Sequence, residues 1–263
     1  MRTVNLASGS KGNSTYFESN EAKILVDDGL TYTNIKDRLS QIGVLPNEID
    51  AILLTHEHTD HLGGVATFLK KNPNTKVYIP SFVKGLYLSG ILALPQNQIE
   101  WYRTSDFFIK DVTISCAILP HDSNFCVGYS LYFGGVKCSI ATDLGEIKQE
   151  IIDFLAGSTI LYLESNHDEH LLMQNPKYPA VTKKRILGSH GHLSNSTCGY
   201  AICKLVPTGV KQVVLSHLSE ENNTPVLAYT TTKRILGEHN IIEGKHVCVD
   251  VAFQSKVGTI FNL

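Results

Sequence analysis

The sequence predicts an α/β protein built from two β-sheets with helices packed outside them. Three observations lead there. Short apolar runs of strand length recur from Val4 to Val251. Several of them come in antiparallel-looking groups, and Gly134-Gly135 between two of them is a hairpin signal. Segments with helical spacing separate other runs, an interleaving that argues for two layered sheets rather than one doubly wound sheet.

Taken in order, Val4 to Ala7 reads as a strand that runs into Ser8-Gly9-Ser10-Lys11-Gly12-Asn13-Ser14, a loop of turn formers. Thr15 to Glu18 and Lys23 to Val26 read as strands, the second ended by Asp27-Asp28-Gly29. Ile35, Leu39 and Ile42 give Thr33 to Ile42 helical spacing. Ala51 to Leu54 is a buried strand, followed by Thr55 to Gly64 and a helix through Lys71 that stops before Pro73. Lys76 to Ile79, Val112 to Ile118, Val127 to Phe133 and Lys137 to Ala141 read as further strands. Ile147 to Leu155 is a helix, and Thr159 to Leu163 is a buried strand ending in Glu164-Ser165-Asn166-His167-Asp168. Helices are expected over Val181 to Leu187, Ser196 to Leu205 and Pro225 to Leu236, with strands over Gln212 to Leu215 and Val247 to Val251.

The 263 residues contain no repeat and no linker rich in Pro, Gly and Ser, so 1–263 is read as one domain. With 43% hydrophobic and 18% charged residues the chain forms a core, which excludes disorder for most of it. Lys+Arg 23 against Asp+Glu 25 leaves a net charge of −2, which excludes a grip on nucleic acid by bulk charge. No apolar run reaches membrane-spanning length and the N-terminus lacks signal-peptide character. The six cysteines are scattered without a C-x-x-C pair, so they are read as free thiols of a cytoplasmic protein.

The 11 histidines carry the functional information. His56-Glu57-His58-Thr59-Asp60-His61 packs four potential metal ligands into six residues directly after a buried strand, and a strand end holds a loop rigidly. In extended geometry His56 and His58 project to one side. Asp60 and His61 begin the next helix and turn towards a second nearby point, so one loop could feed two metal ions. The spacing differs from H-E-x-x-H, which excludes a zincin.

The loop Thr55-His56-Glu57-His58-Thr59-Asp60-His61-Leu62-Gly63-Gly64 resembles the H-x-H-x-D-H signature of the metallo-β-lactamase superfamily. That family's other motifs follow in order at Ile24-Leu25-Val26-Asp27-Asp28-Gly29, Leu119-Pro120-His121-Asp122-Ser123, Ser139-Ile140-Ala141-Thr142-Asp143 and Val213-Val214-Leu215-Ser216-His217. The resemblance implies a four-layer αββα sandwich. It implies that His56, His58 and His121 hold one metal, that Asp60, His61 and His217 hold a second, and that Asp143 bridges them. Asp27 would orient the ligands from behind. Imidazole and carboxylate without thiolate suit Zn²⁺ or Mn²⁺, with Fe²⁺ a further option. Two such cations sharing a water generate a hydroxide nucleophile near neutral pH.

The superfamily holds several activities, so the fold does not name the substrate. The chain leaves little room for the helical C-terminal extension of glyoxalase II. Only 73 residues separate Asp143 from His217, too few for the insert of β-CASP nucleases. The acids at Asp60 and Asp143 argue against typical β-lactamases. The segments Leu163 to Asp168 and Gly188-Ser189-His190-Gly191-His192-Leu193-Ser194-Asn195, with the opening Ser8 to Ser14 loop, resemble the bacterial YycJ/WalJ-type subfamily. That resemblance implies a relative of ribonuclease Z acting as a 5′→3′ exonuclease on DNA.

The residues themselves support a phosphodiester substrate. Ser194 or Asn195 is placed to cap the helix from Ser196 and to present its start to a phosphate. His192 beside it is placed to contact a phosphate oxygen or protonate the leaving oxygen. Asp60 and His192 are thus read as catalytic, His192, Ser194 and Asn195 as substrate-binding, and His167 and Asp168 as braces behind the ligands. Lys183, Lys184 and Arg185 read as a solvated helix face. The alternatives are a thioester or lactone hydrolase resembling glyoxalase II, and a ribonuclease or cyclic phosphodiesterase. A non-catalytic module is disfavoured by the intact ligand set. DNA is the expected partner and no membrane is expected; oligomeric state is not legible.

Overall fold

Along the apolar strands successive side chains point to opposite faces, and the two faces enter different cores. Ile24, Val26, Ala51 and Leu53 face one core, while Leu25, Ile52 and Leu54 face another. Ile160 and Tyr162 enter that first core from the other side, while Leu161 and Leu163 enter a third. Strands buried on both faces belong to the middle of a layered structure.

The computed structural model describes residues 1–263 and has that form. The first half supplies β1 (Arg2–Ala7), β2 (Ser14–Glu18), β3 (Lys23–Val26), β4 (Ala51–Leu53), β5 (Lys76–Pro80) and β6 (Ile99–Tyr102). The second supplies β7 (Asp106–Ile109), β8 (Val112–Ile118), β9 (Val127–Phe133), β10 (Val136–Ala141), β11 (Ile160–Glu164), β12 (Gln212–Ser216) and β13 (Cys248–Val251), and the chain ends with β14 (Ile260–Asn262). One sheet runs β14-β1-β2-β3-β4-β5-β6 and the other β13-β12-β11-β10-β9-β8-β7. In each, four consecutive strands are parallel, β3 to β6 and β10 to β13.

The helices are α1 (Tyr32–Gln41), α2 (Thr59–Leu62), α3 (Val65–Lys71), α4 (Ser89–Leu92), α5 (Gln149–Leu155), α6 (Glu169–Gln174), α7 (Ala180–Ile186), α8 (Asn195–Leu205) and α9 (Pro225–Glu238). α1 and α3 cover the first sheet through Ile35, Leu39, Val65 and Phe68. α5, α8 and α9 cover the second through Ile152, Leu155, Ile202, Leu205 and Leu236. The result is the expected four-layer αββα sandwich. No helix is long and apolar enough to cross a membrane, and all six cysteines are free.

The expectations missed β6, β7, β14, α4 and α6. These strands span only three or four residues, and β6, β7 and β14 lie at sheet edges, where mixed polarity hides the alternation that marks buried strands. α6 buries only Leu172. The helix expected through Lys71 is split at Gly63-Gly64 into α2 and α3. The split has a cause in three backbone segments that cross beneath it. Asn13 N donates to Asp60 O at 2.8 Å, Asp28 N to His61 O at 3.0 Å, and Gly64 N to Asp28 O at 2.8 Å. A Cβ on Gly64 would lie 2.0 Å from the Leu30 carbonyl oxygen. Gly64→Ala therefore forces backbone apart under the histidine loop. It is expected to cost about 1–3 kcal/mol or more, read as a lowered urea midpoint, together with weakened metal uptake. An unchanged midpoint contradicts this account.

Candidate metal centre

The parallel strands of both sheets deliver polar residues at their carboxyl ends, where the two sheets face each other. β3 leads to Asp27, β4 to His56, β10 to Asp143, β11 ends in Glu164, and β12 leads to His217. Five non-glycine residues have positive φ, and three of them are Asp27 (62°), Asp143 (63°) and His217 (55°). Such left-handed turns cost of order 1–3 kcal/mol each and persist where surrounding contacts over-determine them. They turn each side chain off its strand and into the gap between the sheets.

Four overlapping donor groups lie there, each with ligand atoms within 4.8 Å of one another: His56, His58 and His121; Asp60, His61 and His217; His56, His61 and Asp143; and Asp143, Glu164, His192 and His217. The first two groups are the two ligand triads expected from the sequence. Asp143 joins them: its Oδ2 lies 3.0 Å from His61 Nε2 and its Oδ1 lies 3.6 Å from His121 Nε2. Asp60 Oδ2 lies 3.5 Å from both His61 Nε2 and His217 Nε2.

Metal-binding histidines generally fix their tautomer by engaging the nitrogen that faces away from the ion. Here His61 Nδ1 donates to Asp27 Oδ2 at 2.7 Å and His217 Nδ1 to Glu164 Oε1 at 2.7 Å. His121 Nδ1 donates to Gly191 O at 3.2 Å. His56 Nε2, His217 Nε2 and Asp143 Oδ2 are buried with no hydrogen-bond partner. Orphaned buried donor atoms converging on one region fit a divalent cation. Asp27 also accepts from Thr55 N and Thr55 Oγ1, at 2.8 and 2.7 Å, and so fixes the start of the loop.

The electrostatics agree. Burial opposes ionisation of Asp143, yet His217 and His61 hold its carboxyl well below the usual range. Burial likewise opposes charge on His61, but Asp143 and Asp27 push the imidazole up to about 10. His56 lies among other imidazoles and falls well below its ordinary value, chiefly through burial. The centre thus holds more negative charge than the fold neutralises, a demand that protons or cations must meet.

Two contributors take on a definite role only in the structure. Glu164 is fully buried and accepts from Asp143 N, Leu144 N and Leu193 N, and from His217 Nδ1 and His192 Nδ1. Burial opposes its ionisation, and His192 and His217 outweigh this and bring it to about 2. Its signal was an acid at the end of a buried apolar strand, the same pattern that marks Asp27 and Asp143. Asn13 closes the opening loop through Gly9 and places Nδ2 3.2 Å from Asp60 Oδ2 and 2.9 Å from His61 Nε2.

Other expectations are corrected. Asp168 does not brace the ligands, because its carboxylate caps α6 at Leu171 N. His167 is buried, but neither ring nitrogen has a partner, and it holds no ligand in place. Ser194 and Asn195 do not face the substrate space. Ser194 caps α8 and donates to Glu169, while Asn195 is 1% exposed and bonds Ser165 and Asn223. The start of α8 is therefore consumed by the protein's own polar groups. Arg185 is exposed, as expected of the solvated face Lys183 to Arg185, and it also pairs with Asp122 and lines the cavity over the donors. That cavity measures about 300 Å³, and His58, Asp60, His121, Asp143, His192 and His217 lie in its wall.

Residues 23–218 match the family model described as the β-lactamase superfamily domain. The chain belongs to the β-lactamase superfamily. It is 32% identical over 241 residues to exodeoxyribonuclease WalJ of Streptococcus pneumoniae serotype 2 (strain D39 / NCTC 7466), covering 90% of this chain and 88% of that protein. It is 30% identical over 234 residues to exodeoxyribonuclease YycJ of Bacillus anthracis, covering 89% and 88%. Among solved structures, the metallo-β-lactamase fold protein YhfI from Bacillus subtilis superposes with a TM-score of 0.73 at 14% identity, covering 99% of this chain and 98% of that one. The superfamily fold and the donor set together call for divalent metal ions.

Glu164 links the second triad to His192, so it is a direct test of how this superfamily member holds its ligands. Glu164→Gln keeps the shape but removes the charge that two imidazoles share. It is expected to weaken metal binding about 10- to 100-fold, measured by competition with a chromophoric chelator. Unchanged affinity contradicts the role assigned to Glu164.

Proposed function

We propose that the protein is a dinuclear metal-dependent phosphodiesterase that digests DNA from an end. His56, His58 and His121 would hold one divalent cation, Zn²⁺ or Mn²⁺, and Asp60, His61 and His217 the other, with Asp143 between them. When bound, such a pair supplies an activated water and neutralises charge on the phosphate.

The observation that carries the substrate class is the position of His192. It lines the cavity beside both triads, with Nδ1 engaged by Glu164 at 2.9 Å, so Nε2 is the nitrogen left for a ligand. A phosphodiester expels a sugar alkoxide, which needs a proton as the bond breaks. A thioester expels a thiolate, whose conjugate acid has a pKa of about 8.5 and leaves without help. A proton-carrying imidazole in the wall therefore favours phosphodiester over thioester hydrolysis. Glu164 supports this use of His192: burial opposes charge on the ring, and the carboxylate outweighs it and raises its pKa. The full-length likeness to two exodeoxyribonucleases supports DNA as the polymer. A cavity of about 300 Å³ is at the small end of ligand sites. It suits one nucleotide of a strand end better than a paired duplex.

His58→Ala is expected to lose metal and activity together. His192→Ala is expected to keep its metal, measured by elemental analysis, and to digest end-labelled DNA about 10²- to 10⁴-fold more slowly. On bis-p-nitrophenyl phosphate, whose leaving group needs no proton, the same variant should lose far less. Equal losses on both substrates remove His192 from the role of acid, and undiminished DNA digestion by metal-loaded His58→Ala refutes the metal assignment.

A further inference from the structure

From Pro176 to His190 no residue is buried, and α7 within this stretch has no buried residue at all. A helix in a folded protein is normally held by an apolar face laid on a core. α7 is held by other means. Asn175 Nδ2 donates to Asn222 Oδ1 at 2.7 Å at one end, and His192 N donates to Ile186 O at 3.0 Å at the other. Arg185 pairs with Asp122 across the gap. The backbone around Gly188 and Gly191 packs so closely on Gly145 that a Cβ there would lie 2.4 Å from its neighbours.

The strap so fixed turns one face to the catalytic cavity. Thr182, Arg185 and Ile186 line it from one side of α7, and Tyr178 lines it from just before the helix's extended N-cap, Pro179. Tyr178 and Ile186 are the only two hydrophobic residues among the 15 that line the cavity. The opposite wall is imidazole and carboxylate. A nucleotide has the same division, with a charged phosphate at one end and a flat, apolar-faced base at the other.

We infer that the strap is a base-binding wall, with the base of the nucleotide undergoing cleavage stacked on the Tyr178 ring and flanked by Ile186. The inference rests on the phosphodiesterase reading and adds where the rest of the nucleotide goes. Every base has a π-face, so a stacking wall grips any terminal nucleotide without selecting sequence.

The test compares a single-stranded DNA ending in an ordinary nucleotide with the same strand ending in an abasic tetrahydrofuran residue, at whichever end the metal-loaded protein digests. The wild type is expected to favour the base-bearing end about tenfold or more in kcat/KM. In Tyr178→Ala that ratio should fall towards one, and in Tyr178→Phe it should stay at the wild-type value. A wild type that treats both ends alike overturns the inference, as does a Tyr178→Ala variant that keeps the full ratio. A wild type that digests neither DNA nor thymidine 5′-p-nitrophenyl phosphate overturns the phosphodiesterase reading, and the inference with it.

Discussion

A carboxylate stays ionised out of water only when positive or proton-donating groups surround it, and Asp143 sets that condition at the centre of the molecule. It is 2% exposed. His61 reaches it from α2, which follows β4, and His121 and His217 reach it from beyond the ends of β8 and β12. These residues belong to opposite sheets, so the carboxylate is satisfied only when the sandwich is closed. Glu164 repeats the condition one strand away, with His192 and His217 as its partners. Two buried acids sharing His217 tie the second triad to the catalytic wall. Folding and metal binding become linked through this arrangement, because the unfolded chain has no preformed site.

The strands around Asp143 show how the fold accommodates the demand. Parallel strands with both faces in apolar cores carry few polar groups along their length. They carry them at their carboxyl ends, and the left-handed turns at Asp27, Asp143 and His217 direct those groups inward. The crossing of three backbone segments beneath the histidine loop, with glycine at 29 and 64, fixes the loop's height over the sheet. These backbone bonds and close contacts hold the loop in place, which is what a metal centre needs.

Much of this was legible in the sequence. The buried strands declared themselves through unbroken apolar runs, and a polar residue after such a run is a site candidate. His56 stands out in that way, whereas Asp27, Asp143 and His217 are ordinary strand-end residues taken singly and stand out only through the ordered family motifs. Glu164 obeyed the same rule but was read as part of a polar cluster, and the roles went to His167 and Asp168, which the structure turns elsewhere. The reason is local. From His167 onward the chain is starting α6, and an aspartate before a helix is used by the helix. Ser194 and Asn195 were misplaced for a related reason. A helix start attracts a phosphate only if its amide groups are unclaimed, and here Asn195 N donates to His167 O and Thr197 N to Ser194 Oγ, while Glu169, Ser165 and Asn223 hold the Ser194 and Asn195 side chains. Sequence reveals a capping residue but not its competitors. The edge strands β6, β7 and β14 escaped because they lack the double burial that makes a strand obvious.

The charge pattern around the cavity narrows how a polyanion can be held. Lys11 pairs with Glu220 at 2.5 Å, Lys177 with Glu221 at 2.7 Å, and Arg185 with Asp122. Each of these three cations, Lys11 in the opening loop and Lys177 and Arg185 in the strap, is already matched by an acid. With a net charge of −2 the chain offers a long duplex little gain from counterion release. Within the cavity, Asp60, Asp122 and Asp143 repel a phosphate until divalent cations reverse the local sign. On the phosphodiesterase reading, affinity is therefore concentrated on one nucleotide rather than spread along a groove. On the same reading, the phosphate would be drawn by the cations on one wall, and the apolar side of the strap would face the base on the other. A site organised in that way engages a strand end, and its preference for ends follows from where the attraction lies.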